Sequence, residues 1–317
     1  MSCALEISLK LIFCGTPHFA VATLEAVIAA GHEVQLVVTQ PDRPAGRGME
    51  MHISAVKACA LRHGLPIAQP EKIKHNLEFR AQLEELAPDA ILVVAYGRII
   101  PDWMLAFPRF GCINLHGSLL PKYRGAAPIQ WAVANGETET GVTTMLLEAG
   151  LDTGPMLLAH KVAIAPDETA EDLFLSLAEV GAPLMVETLA GLASSSIEPV
   201  PQDHSAATLA PILTREDGRI LAEQRTAQQV YDRWRGFQPW PGAFTTLRGK
   251  KLIAHRMRLA NRTVAPGKLH IEDNRLFLGC THDAIELLEV QMEGKKRMSA
   301  VEFLHGLQIK TGERVGD

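Results

Sequence analysis

The sequence predicts an α/β protein in two parts. Residues 1–191 read as a doubly wound, Rossmann-like domain and residues 208–317 as a small antiparallel β-domain, an OB-like barrel, with a linker at 192–207. Three observations carry this. Short apolar runs alternate with stretches of helical spacing in the first part, the texture turns to Ser, Pro and Ala near residue 192, and the segments beyond are short and alternating. Charge changes with texture: residues 1–207 hold 13 Lys+Arg against 23 Asp+Glu, net −10, and residues 208–317 hold 18 against 13, net +5. A basic second part raises the expectation of a nucleic-acid partner there.

Each element has its own signal. LKLIFC (9–14) is an apolar strand running into the turn Gly15-Thr16-Pro17. HFAVATLEAVIAAG follows at helical spacing and stops at Gly31, a residue suited to the left-handed position after a helix. VQLVVT (34–39) is the next strand, and SAVKACALRH (54–63) and residues 76–87 are helical. DAILVVAY (89–96) is a near-continuous apolar strand, as a sheet covered on both faces requires. GCINL (111–115) and GVTTMLL (141–147) are further strands, with AAPIQWAVANG (126–136) a helix between them. In the second part RTAQQVYDRWRGF is a helix, and KLIAHRMRL, GKLHIEDNRLFLGC and AIELLEV are alternating strands.

The composition, 47% hydrophobic and 21% charged over 317 residues, is that of an ordinary globular protein. The opening MSCALEISLKLIFCGT lacks the pattern of a secretory leader, and no run of about 18 apolar residues suggests a membrane span. The five cysteines are scattered without a CxxC pair, which argues against a zinc site or disulfide framework and fits a cytoplasmic location.

The stretch CINLHGSLLPKYRGAA (112–127) is where chemistry is expected. In open α/β sheets ligands bind beyond the carboxyl ends of the strands, and Asn114 and His116 fall where a strand ends. Alternate residues of a strand point the same way, so both face one cleft. Transfer of a one-carbon acyl group to an amine needs a donor for the developing oxyanion and a group that moves the amine proton. Asn114 suits the first role and His116 the second or both, while Asp152, in AGLDTGPML, is a carboxylate able to orient His116. Each residue also has a plainer reading: His116 as a core or capping residue, Asn114 as a turn former, Asp152-Thr153 as an Asx turn. DTG at 152–154 has no second copy for an aspartic protease, and FCGTPHF lacks the GxGxxG of dinucleotide-binding folds.

Taken together, INLHGSLLPKYRGAAPIQWA and TGVTTMLLEAGLDTGPML resemble the catalytic core of the 10-formyltetrahydrofolate-dependent formyltransferases. The resemblance implies Asn114, His116 and Asp152 as the catalytic trio. It implies Ser118, Leu119, Leu120 and Pro121 as a loop lining the folate site, and the backbone of Val94, Ala95, Tyr96 and Gly97 as a wall of the pterin pocket. VVTQPDRPAGRG (37–48), AYGRIIP, LTREDGRI (213–220), FQPWPGAF (237–244) and GKKRMSAVEFL (294–304) are similar to the members that act on methionyl-initiator tRNA. The implied donor is 10-formyltetrahydrofolate as a co-substrate, with no permanently bound cofactor and no metal, in a monomer. Arg43 and Arg47 on the PDRPAGRG loop, and Lys250, Lys251, Arg256, Arg258, Lys295, Lys296 and Arg297 in the second part, are the candidate tRNA contacts.

The sequence departs from the family pattern in three places. Met49 to Ala55 stand where further lysines and a Pro-Ser-Pro stretch are usual, Ile212 stands where a lysine is usual, and ILAEQ (220–224) replaces an aspartate-tryptophan pair. The departures spare the trio and thin the basic surface. Three other functions compete: formylation of a different amine such as an amino sugar nucleotide, RNA binding without catalysis, and hydrolysis of the folate.

Overall fold

The computed structural model describes residues 8–45 and 50–316. The first sheet takes its strands from β1 (Lys10–Gly15), β2 (Glu33–Val38), β5 (Ile67–Ala68), β6 (Ala90–Val94), β7 (Cys112–His116), β8 (Glu139–Leu146) and β9 (Met156–Ala163). Between them run α1 (Phe19–Ala29), the β3–β4 hairpin (Arg43–Ala45, Glu50–His52), α2 (Ala55–Arg62), α3 (Leu77–Leu86), α4 (Asp102–Leu105) and α5 (Pro128–Ala134), and after β9 comes α6 (Ala170–Ala193). The sheet order is β5-β2-β1-β6-β7-β8-β9. The first five strands are parallel, while β8 runs antiparallel to β7 and β9 antiparallel to β8. Strand–helix alternation predicts the sheet class but not the direction of its last strands, and mixed sheets commonly carry antiparallel strands at one edge.

Burial explains the parallel core. Every residue of β6 and β7 is buried, and Ile12, Cys14, Val38, Ile91, Val93 and Cys112 join Tyr96 in one cluster. Burial pushes the thiols of Cys59 and Cys112 up to about 12, so neither is a nucleophile at neutral pH. Helix α6 covers the face of the sheet that carries Leu115 and Thr144. Gly181 leaves room only for the Leu115 side chain, and Thr144 and Thr188 share a 2.8 Å hydrogen bond. Among the described residues α6 is the one helix long and apolar enough to cross a membrane, but half of that apolar stretch is buried, as in a core helix.

Two compact units emerge, and neither is one continuous stretch. The first comprises residues through Pro128, Glu139–Ala163 and Phe174–Pro211; the second comprises Ile129–Thr138, Ile164–Leu173 and Ile212–Asp317. Residues 192–207, expected as a linker, are tied into the first unit. Val200 pairs with Met156 through two 2.8 Å backbone bonds, and Gln202 is buried.

The second unit contains α7 (Ala227–Gly236), β10 (Phe244–Leu247), β11 (Lys250–Ala260), β12 (Leu269–Glu272), β13 (Arg275–Gly279), β14 (Ala284–Met292), β15 (Met298–Ser299) and α8 (Ala300–Leu307). Its antiparallel sheet has the order β10-β11-β14-β13-β12, with β15 on β14, around a core that includes Leu252, Leu276, Ile285, Val290 and Phe303. The two outer strands are bridged by residues 312–316. Leu269 donates to Glu313 O (2.8 Å) and Val315 to Gly267 O (2.9 Å) on one side, and Gly316 donates to Thr246 O (2.9 Å) on the other. The curled sheet is thus joined edge to edge by its last segment, which protects edges that would otherwise template pairing with another chain.

Candidate active site

β6 and β7 lie side by side with Val93 opposite Asn114, so the turn after β6 borders the end of β7. That turn has left-handed backbone at Ala95 (φ 46°) and Gly97 (φ 76°). Thr16 and Gln40 side chains donate to Tyr96 O at 3.2 and 3.1 Å, which fixes the turn. The Tyr96 ring and Val94 are buried in the core, while Ala95 and Gly97 are exposed.

Asn114 and His116 share the face of β7 opposite Leu115, and they are only 9% and 5% exposed. Among the described residues the Asn114 carboxamide has no hydrogen-bond partner. His116 Nε2 lies 2.9 Å from Tyr123 O. A carbonyl only accepts, so Nε2 carries the proton and Nδ1 is the nitrogen left for chemistry. Nδ1 stands 3.8 Å from Asp152 Oδ2, an ion-pair separation and too long for a hydrogen bond. The sequence reading gave the orienting role to Asp152, but the direct hydrogen bond on the imidazole comes from the Tyr123 carbonyl.

Asp152 itself is held by Gly125, whose N–H donates to Oδ2 at 2.8 Å. Gly125 adopts φ +123°, and a Cβ there would meet Ala210 O at 2.6 Å, so only glycine fits. Asp152 has left-handed backbone (φ 49°), which costs a non-glycine residue about 1–2 kcal/mol and persists only where neighbours impose it. Its backbone carbonyl accepts from a residue outside the expected site set. Gln202 Nε2 donates to Asp152 O (2.9 Å) and Gly154 O (2.7 Å), and its Oε1 accepts from Arg124 at 3.0 and 2.7 Å. Nothing local marks Gln202 in a Ser- and Pro-rich stretch, because its partners lie 48 or more residues away.

The loop of Ser118, Leu119, Leu120 and Pro121 folds on itself. Ser118 Oγ donates to Lys122 O (2.6 Å), Thr143 Oγ1 donates to Ser118 O (2.7 Å), and Leu120 N donates to Thr143 Oγ1 (3.2 Å). The Leu120–Pro121 peptide is cis. Ser118 is fully buried, so its hydroxyl shapes the loop, whereas Leu119 and Pro121 remain partly open.

The candidate tRNA residues separate into groups. Arg43 is exposed on β3, and Arg47 lies outside the described residues. In the second unit Leu252 pairs with Met292 and Glu293 N bonds Lys251 O, which places Lys250, Lys251, Lys295 and Lys296 at one end of β11 and β14. Lys251 Nζ sits 3.9 Å over the Phe244 ring, and among the described residues Lys250, Lys295 and Lys296 form no ion pair. Arg256 and Arg297 instead pair with Glu289, and Arg258 with Glu286. A further basic patch was not anticipated: Arg219, Arg225 and Arg233 line a small pocket with Asp217 and Trp234, and burial, with the Arg225 charge, pushes Arg233 down to about 10. Elsewhere Glu25 accepts hydrogen bonds from Cys59 and Arg62 and shares one with His63, a hub joining α1 to α2.

A family profile described as "Formyl transferase" matches residues 9–189, and one described as "Formyl transferase, C-terminal domain" matches residues 212–308. A protein of Acidobacterium capsulatum named methionyl-tRNA formyltransferase is 62% identical over 97% of this chain and 100% of its own length. One of Koribacter versatilis with the same name is 58% identical over 96% of this chain and 98% of its own. Among solved structures, HypX from Aquifex aeolicus in complex with tetrahydrofolic acid superposes with a TM-score of 0.64 at 16% identity. That likeness covers 97% of this chain, which spans about half (49%) of the HypX chain, and it speaks to the fold alone.

Proposed function

The chain belongs to the methionyl-tRNA formyltransferases of the formyl transferase family, and we propose that it transfers the formyl group of 10-formyltetrahydrofolate to the α-amine of methionyl-initiator tRNA. The observation that carries the assignment of the site is the convergence of the Asn114 carboxamide, the His116 Nδ1 and the Asp152 carboxylate at the carboxyl end of β7.

The methionyl nitrogen attacks the formyl carbon, the carbonyl oxygen becomes anionic, and the bond from carbon to N10 of the folate then breaks. Asn114, with no competing partner among the described residues, donates to that oxygen. His116 takes the amine proton on Nδ1 and returns it to N10 as the tetrahydrofolate leaves. The Asp152 carboxylate at 3.8 Å stabilises the imidazolium in between. Nucleophile and acyl donor are both substrates, so the rate comes from positioning and oxyanion stabilisation. The folate lies against the 94–97 turn and the 118–121 loop. The tRNA backbone meets the Lys250, Lys251, Lys295 and Lys296 cluster of a monomeric, cytoplasmic enzyme.

The test is formyl transfer from 10-formyltetrahydrofolate to methionyl-initiator tRNA, with wild type beside His116→Ala. Product is expected from the wild type, with a loss of at least ~10²-fold in the variant. Folded wild type that makes no product with this acceptor, yet formylates an amino sugar nucleotide, would overturn the tRNA reading.

A further inference from the structure

We propose that Gln202 is a positioning residue for formyl transfer, fixing the Asp152 turn beside His116 through its side-chain amide. The inference rests on the formyl-transfer reading above. Gln202 is 6% exposed, and its two amide protons meet two carbonyl oxygens, those of Asp152 and Gly154, at 2.9 and 2.7 Å. Its oxygen accepts twice from the Arg124 guanidinium, at 3.0 and 2.7 Å. Arginine can only donate and carbonyls can only accept, so the amide has one possible orientation and its capacity is filled.

The arrangement is keyed to three consecutive residues. Tyr123 O receives the His116 proton, the Arg124 side chain grips Gln202, and Gly125 N–H holds the Asp152 carboxylate. Arg124 is locked in turn by backbone bonds to Thr208 O (2.8 Å) and from Ala210 N (2.7 Å). Gln202 therefore joins the main chain of Asp152 to the segment that holds both the imidazole and the carboxylate. It touches no reacting atom itself. Without its Nε2 donors, no other hydrogen bond among the described residues holds the carbonyl of the left-handed Asp152, and the carboxylate moves relative to Nδ1.

Two variants separate positioning from simple support. Gln202→Ala removes both functions, whereas Gln202→Glu keeps oxygens for Arg124 but turns acceptors toward the Asp152 and Gly154 carbonyls. With methionyl-initiator tRNA and 10-formyltetrahydrofolate, both variants are expected to lose roughly 10–100-fold in kcat, with each KM within about threefold of wild type, since misplacement of a group by 1 Å costs on that order. The Gly125 amide resonance, read by ¹⁵N NMR without substrate, is expected to shift in Gln202→Glu as its bond to Asp152 changes. Wild-type kcat and an unmoved Gly125 resonance in Gln202→Glu would overturn the proposal and leave only an anchor for Arg124. Activity per folded molecule unchanged in both variants would overturn it as well. Inactive wild type with a shifted Gly125 resonance in the variant would count against the substrate reading and not against the positioning.

Discussion

Asn114 and His116 stand on one face of β7 in different surroundings. The imidazole is pinned by Tyr123 O at 2.9 Å, while the Asn114 carboxamide stands without a partner among the described residues. An unpartnered, nearly buried donor beside a strand end is ready for an oxygen that becomes charged only during reaction, where such a donor is worth most. Asn114→Ala should therefore lower kcat by roughly 10²–10³-fold and leave folate affinity within a few-fold, measured by single-turnover transfer and by equilibrium titration. Equal losses in affinity and rate would point instead to ground-state binding. At this scale the expected trio rests on a signal that is local for two of its members. Strand alternation puts Asn114 and His116 on one face, and the isolated acid in a glycine-rich stretch marks Asp152. The partners that hold them were not legible. Tyr123 contributes a backbone carbonyl, which has no sequence signature, and Gln202 reaches Asp152 across 50 residues.

Among the elements, β14 carries a buried carboxylate held by two arginines. Glu286 is 4% exposed and accepts from Arg275 Nε at 2.9 Å and Arg258 Nε at 2.7 Å. The Arg275 hydrogen bonds, supported by Arg258, hold its carboxyl down at about 2 although burial alone would raise it. A depressed acid stabilises the fold above its unfolded value near 4.3, and that contribution disappears as pH falls through about 2. Urea unfolding should show wild type losing ~1–3 kcal/mol between about pH 5 and pH 2 that Glu286→Gln does not lose, the range allowing for the exposure of both arginines. Element identity was mostly readable from period and turn residues, with telling exceptions. Helix α6 runs for 24 residues through an internal Pro183, and its apolar residues on several sides blur the periodic signal. Its start carries a capping signal, since Thr169, just before the helix, and Asp172 in its first turn exchange hydrogen bonds. β9 alternates poorly, with only Leu157 fully buried, because it is the outermost strand of its sheet.

For the whole molecule, sequence continuity and physical unity part company. Trp131 packs edge-on against Phe237 at 5.3 Å, Tyr231 donates to Asp167 at 2.8 Å, and Arg235 donates to Glu168 O at 2.7 Å. Gly236 comes so close to Ala134 that a Cβ would meet its backbone nitrogen at 2.5 Å. Each of these partners of α7 precedes residue 208, so a fragment of residues 208–317 lacks them. Such a fragment should keep strand content by circular dichroism but melt well below the intact protein and bind a hydrophobic dye through the uncovered Phe237, while a fully native-like melt would contradict the assignment of these segments to the second unit. Charge and texture change once along the chain, near residue 200, and neither signal can reveal segments that cross over from earlier in it. The seam at residues 312–316 has a consequence for synthesis. A ribosome releases those residues after every strand they join, so the facing edges of β10 and β12 stay unjoined until residue 316 has cleared the exit tunnel. Its protection from proteolysis must then arrive as one late step and not strand by strand.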